Sequence, residues 1–337
     1  MRLSLKSFPA LAAVILLIAA AKPARAVSCT TQAAMTPLER NTLAAAGSRL
    51  AVAVADQDLP ALKAALLPAV AADWDGISSE AQAGASLMKG GQVQLRSLYL
   101  LDASTLAATA DTQFFCTSAS GALTVTLTMR ALPPGHYALV LAESAGAPYA
   151  GQVGLMLAWE RDGASSGWRL GGLSVRPGAL DGHDGLWWWT HARELVKDGQ
   201  PQIDSWPAWY SYETARRLLL PVDFLSSPNL ERLGSEQSAI TGSPQSAFPL
   251  TLNDGPRTWK IDAIHLDMSA LHPDLGVVYE STGVTDPAAI RTEATAVLTA
   301  LLKAQPGLRA SFHGLSAFAV KDGKQTPVLE LTMAQIP

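Results

Sequence analysis

Six histidines and a run of three tryptophans are the residues whose chemistry stands out in this 337-residue chain. His265-x-Asp267, with His272 and Asp274 close behind, places imidazole and carboxylate on alternate residues of a predicted strand, and alternate residues share a face. Imidazole plus carboxylate is a ligand set that suits zinc. The spacing matches no zinc signature, however, and Asp267 and Asp274 fall where a strand runs into a turn, which ordinarily carries solvated polar groups. Asp181-Gly182-His183-Asp184-Gly185 is a second candidate, but it reads first as a turn in which Asp184 caps a following helix. Neither motif assigns a metal, a cofactor or a catalytic residue, and none is expected. No H-E-x-x-H occurs, and no Gly-rich loop ends in Lys-Ser or Lys-Thr.

The aromatic group carries the binding expectation. Trp187, Trp188 and Trp189 are consecutive, and neighbouring helical residues point about 100° apart, so the three rings cannot share one face. Trp206, Trp209 and Tyr210 follow on a second predicted helix. These six are the candidate ligand or partner residues, because flat aromatic faces suit sugar stacking and interface hot spots. The competing reading is structural, with the rings cementing a helical hairpin to the domains on either side.

These residues must be positioned by elements that the pattern outlines. Residues 1–26 form a leader: Arg2 and Lys6 precede an apolar stretch from Phe8 to Ala21, and Ala24-Arg25-Ala26 is an A-x-A cleavage site. Four positive charges leave with it and no negative one, taking the formal net charge from −4 to −8. Nucleic acid and anionic lipid are therefore excluded as partners, since phosphate binding needs a basic stripe. No later apolar segment is long enough to span a bilayer. An exported, periplasmic or secreted protein without membrane insertion follows. Its two cysteines, Cys29 and Cys116, favour a disulfide closing a loop of nearly ninety residues, worth about 4.5 kcal/mol. Two unpaired thiols and acylation of Cys29 are the alternatives.

Residues 27–179 read as helices followed by strands, an α+β order. Thr36, Pro37 and Glu39 make a capping box for a helix from Pro37 to about Ala55. Asp58 and Pro60 start a second, with Leu62, Leu66, Leu67 and Val70 on one face, and Ser78 to Lys89 is a third. The period then changes to two, over Val93 to Leu101, Thr112 to Ser118, Leu123 to Arg130, Tyr137 to Glu143, Gln152 to Glu160 and Trp168 to Val175. The run LAVAVADQDLPALKAALLP from Leu50 to Pro68, with Trp74 after it, resembles the opening of the SnoaL-like, nuclear-transport-factor-like superfamily. The resemblance implies a curved antiparallel sheet wrapped around helices into a cone with an apolar pocket. The acid/base His or Asp of the superfamily's enzymatic members matches no position here, which favours a binder over an enzyme.

Residues 180–233 form the aromatic helical hairpin, one helix from Trp187 to Lys197 and another from Trp206 to Leu220, with a turn at Asp198-Gly199-Gln200-Pro201. Ala208, Tyr212 and Ala215 resemble the second helix of a tetratricopeptide unit. A single repeat cannot bury its face alone, so docking onto a neighbouring domain is expected. A Ser/Gly/Pro-rich linker over 234–249 leads to a small ββαββ domain over 250–337. Its strands are Trp259 to Asp267, Leu275 to Ser281, Ser316 to Val320 and Pro327 to Met333, with a helix capped by Asp286. The expected function is binding of a small apolar ligand in the N-terminal pocket or of an envelope protein at the hairpin. The alternative is a cyclase, isomerase or hydrolase using a pocket His or carboxylate.

Overall fold

The computed structural model describes residues 27–337, apart from 122, 163–164, 199–204 and 269–270. The expected leader and most of the 198–201 turn lie outside the described residues. The architecture is α+β, with two five-stranded sheets joined through a helical segment.

The N-terminal part comprises β1 (Ser28–Thr31), α1 (Pro37–Ala55), α2 (Leu59–Ala64), α3 (Trp74–Met88), β2 (Gln92–Asp102), β3 (Ala110–Thr117), β4 (Thr124–Leu132), β5 (His136–Ala145), β6 (Gln152–Asp162) and β7 (Ser165–Arg176). The capping box forms as its sequence requires: the Glu39 amide donates to Thr36 Oγ1, and Glu39 Oε2 accepts from the Thr36 amide at 2.8 Å. α2 is shorter than its apolar spacing implies. It stops at Ala64, because Leu66 and Leu67 leave the helix to pair with Leu170 of β7.

The strands do not run as one meander. The main sheet has the order β1-β2-β5-β6-β7, and β3 and β4 peel off into a separate sheet of order β10-β4-β3, where β10 is Leu225–Ser226. The reason lies in the side chains. Phe114, Cys116, Val125 and Leu127 of the peeled hairpin bury against Leu101 and Leu139 on one face of the main sheet. The other face carries Ala138, Val140, Leu155 and Leu157 against Leu43, Leu50 and Val54 of α1 and Ala81 of α3. The central strand β5 is thus apolar on both faces, which a simple alternating pattern does not show. Close approach of α3 to β7 depends on Gly84, where an added Cβ would lie 2.4 Å from the Val175 side chain. The Cys29–Cys116 disulfide joins β1 of one sheet to β3 of the other. Such a bond belongs to an oxidising compartment. No described helix is long and apolar enough to cross a membrane.

The connecting segment holds the short ribbon β8 (Ala179–Leu180) and β9 (His183–Asp184), then α4 (Gly185–Asp198), α5 (Ser205–Leu219) and α6 (Pro228–Ser238). The hairpin is therefore followed by a third helix, and residues 234–238 of the expected linker are helical. Ser227 caps α6 with Pro228 at its first position, and Ser235 and Ser238 turn their hydroxyls onto the carbonyls of Glu231 and Gly234. Serines that bond within a helix mimic linker composition.

The C-terminal domain contains β11 (Leu250–Asp254), β12 (Arg257–Asp267), β13 (Asp274–Glu280), α7 (Pro287–Ala304), α8 (Leu308–Ser311), β14 (Gly314–Lys321) and β15 (Lys324–Thr332). The expected ββαββ set gains β11 at one edge. Sheet order is β11-β12-β13-β14-β15, with the β13–β14 pair parallel across the α7 crossover. Asp286 caps α7 through the Ala289 amide at 2.8 Å, and Val297, Leu298 and Leu301 of α7 enter the core.

Candidate functional site

The two histidine motifs, far apart in sequence, meet at the junction of the connecting segment with the C-terminal domain. Asp181, in the turn between β8 and β9, accepts from His272 Nδ1 at 2.5 Å. The His272 ring stacks on His313 at 4.1 Å, and His313 Nδ1 lies 3.1 Å from Asp274. Asp274 is buried, and burial pushes its carboxyl up from the ordinary range while the His313 hydrogen bond pulls the other way. Two parallel imidazoles cannot both aim an in-plane lone pair at one ion between them, so the stack is poor metal geometry. Among the described residues no group of three or more His, Cys, Asp or Glu could hold a metal. His265 takes no part. It is exposed, and its ring lies against Gly276 and Phe318 on the opposite face of β12 from buried Ile264. Asp184 caps α4 as expected, accepting from the Trp187 amide at 2.8 Å.

Each of the six candidate aromatics has a structural position. Trp206 and Tyr210 belong to the C-terminal core, where the Tyr210 hydroxyl donates to the Ile264 carbonyl at 3.2 Å; Trp209 packs at its margin. Trp188 and Trp189 are buried in the hairpin with Leu180, Tyr212, Ala215 and Leu218. Trp189 Nε1 donates to Glu236, which also accepts from Nε and Nη2 of Arg193 and from Nε of Arg232. That network, led by Arg193, holds the Glu236 carboxyl down at about 2. Trp187 is the exposed one, at 39%. Its ring stacks with His183 at 3.7 Å and with His191 at 4.8 Å. Trp188 and Trp189 thus fasten the helices to each other, and Trp206 and Tyr210 fasten them to the C-terminal sheet.

Two nucleophile-like spacings are also accounted for. Gly163–Gly167 reads G-x-S-x-G, but its described residues, Ser165 to Gly167, lie in β7 and pair antiparallel with β6, whereas a nucleophile elbow leads from strand to helix. Ser86-x-x-Lys89 ends α3, where Ser86 Oγ donates to the Ala83 carbonyl.

An open groove lies elsewhere, between the first turns of α1 and the end of the main sheet. Its volume is about 530 Å³. Leu157 of β6 faces the helices, so by the period of two Trp159 and Arg161 face the same way; Trp168 stands opposite Trp159 in the β6–β7 register. The two indoles meet edge to face at 5.1 Å. Leu38, 78% exposed, and Leu100 complete an apolar lining. In the same lining His136 Nδ1 lies 3.3 Å from Asp102, each about half exposed. The Tyr137 hydroxyl is tied to the Pro133 carbonyl at 2.9 Å, and burial raises its pKa. A second groove of about 410 Å³ shares Thr42 and Trp168 with the first and extends to Arg49, Glu160 and Arg169. Sequence reading missed this site. The signal present was two tryptophans flanking a hairpin turn on helix-facing positions, but only the strand register shows that they touch.

No family model, no curated protein and no solved structure matches the chain.

Proposed function

We propose that this chain is an exported, periplasmic or secreted binding protein, released by cleavage near Ala26, that holds a small and largely apolar ligand in the groove between α1 and the main sheet. The proposal includes a SnoaL-like build for the N-terminal part, supported by helices packed on one face of an antiparallel sheet with a groove where the first helix begins. The observation that carries the binding reading is Leu38. A leucine 78% exposed, facing a groove lined by the Trp159–Trp168 pair, is apolar surface whose cover by a ligand would be favourable at about 25 cal/mol per Å². The half exposure of the His136–Asp102 pair favours holding a ligand over transforming one.

Titration calorimetry with 2-naphthol, a flat neutral probe, tests the reading. The mature chain is expected to bind it saturably at one site. Trp168→Ala should weaken that binding at least about tenfold. Absence of binding, or an affinity unmoved by Trp168→Ala, would contradict the reading.

A further inference from the structure

Every carboxylate lining the two adjoining grooves is already engaged. Glu39 accepts from the Thr36 amide and hydroxyl in the capping box. Asp102 accepts from the Ser104 amide at 2.9 Å and faces His136 at 3.3 Å. Glu160 is paired with Arg169 at 3.3 Å. The cations are less committed. Among the described residues, neither Arg161 in the larger groove nor Arg49 in the smaller one has a carboxylate at ion-pair distance, and Trp168 lines both grooves. Two guanidinium groups, each a planar fork of donors, thus line the grooves with no described carboxylate paired to them.

From this we infer that the ligand of the groove is an amphipathic organic acid: an apolar, flat body that lies on Trp168, Trp159 and Leu38, with a single carboxylate or comparable anion that accepts from Arg161 or Arg49. This rests on the groove being the binding site. Arginine is the side chain suited to such recognition, since two parallel N–H donors match the two oxygens of a carboxylate. The preference must be local. The mature chain is acidic overall, so its long-range field repels anions and would by itself favour a neutral ligand.

The test compares 2-naphthoate with 2-naphthol, the same ring system with and without a negative charge, by titration calorimetry on the mature full-length chain at pH 7. Naphthoate is expected to bind at least about tenfold more tightly. The double variant Arg49→Gln/Arg161→Gln should bring the two affinities together by weakening naphthoate alone; both side chains are exposed, so the fold is retained. Equal affinities for the two probes, or an acid preference that survives the double variant, would overturn the inference while leaving the groove as the site. Binding of neither probe would remove the site itself and the inference with it.

Discussion

Glu236 shows how much a single side chain can organise. Its carboxylate gathers Trp189, Arg193, Arg232 and Tyr212 from three helices, and its pKa falls from 4.5 to about 2. A group whose folded pKa is depressed adds stability that is complete above its unfolded value and vanishes as pH falls through the folded one. Wild type should therefore lose this contribution between pH 4.5 and about 2. Glu236→Gln should be less stable by about 1–2 kcal/mol at pH 7, after allowing for solvent screening, and the gap should close near pH 2. Denaturant unfolding of both proteins across that range measures it. A gap independent of pH would mean that the carboxylate's charge is not what binds the helices. The sequence marks Glu236 only through its i,i+4 spacing from Arg232; its other partners, Trp189, Arg193 and Tyr212, lie 24 to 47 residues away.

At the scale of elements, local rules were enough wherever a signal was local. Thr36, Asp58 and Asp286 each cap the helix that their spacing with Pro and Glu implied. Asp322-Gly323, both at positive φ, turn the last hairpin. What was illegible was the partner of each element. Strands β3 and β4 have the alternation of half-buried strands, and alternation is silent on which sheet covers the buried half. β11 was hidden by the linker-like composition that precedes it, and α6 by its serines. The contact of α3 with β7 is of the same kind, because a glycine within a helix reads as a defect until Val175 is seen against it. Gly84→Ala should cost about 1–3 kcal/mol through overpacking, despite the better helix propensity of alanine. Unfolding midpoints check this; a stabilised variant would show that the α3–β7 contact relaxes freely.

Across the whole molecule, the connecting helices are fastened on both sides. Gln152 Nε2 of β6 donates to the Leu218 carbonyl at 2.6 Å, Arg176 pairs with Asp223 at 2.6 Å, and β10 extends the β3–β4 sheet. On the other side Trp206, Tyr210 and the Asp181–His272 pair reach the C-terminal domain. The aromatic residues, conspicuous in sequence, are spent on that junction. The groove was inconspicuous because its parts come from α1, β2, β5, β6 and β7, and only the fold assembles them. Fold class was thus readable from period and caps, while the site depended on register and on which helix end leaves a sheet uncovered.

The account stands on the groove, rather than the aromatic hairpin, being where a ligand sits. Indole N–H resonances of the nine tryptophans, followed by NMR during titration with 2-naphthoate, separate the two directly. The account predicts that Trp159 and Trp168 shift together and saturate, while Trp188, Trp189 and Trp206 stay in place. Shifts confined to Trp187 and its neighbours on α4, or no shift at Trp168 at saturating probe, would contradict it.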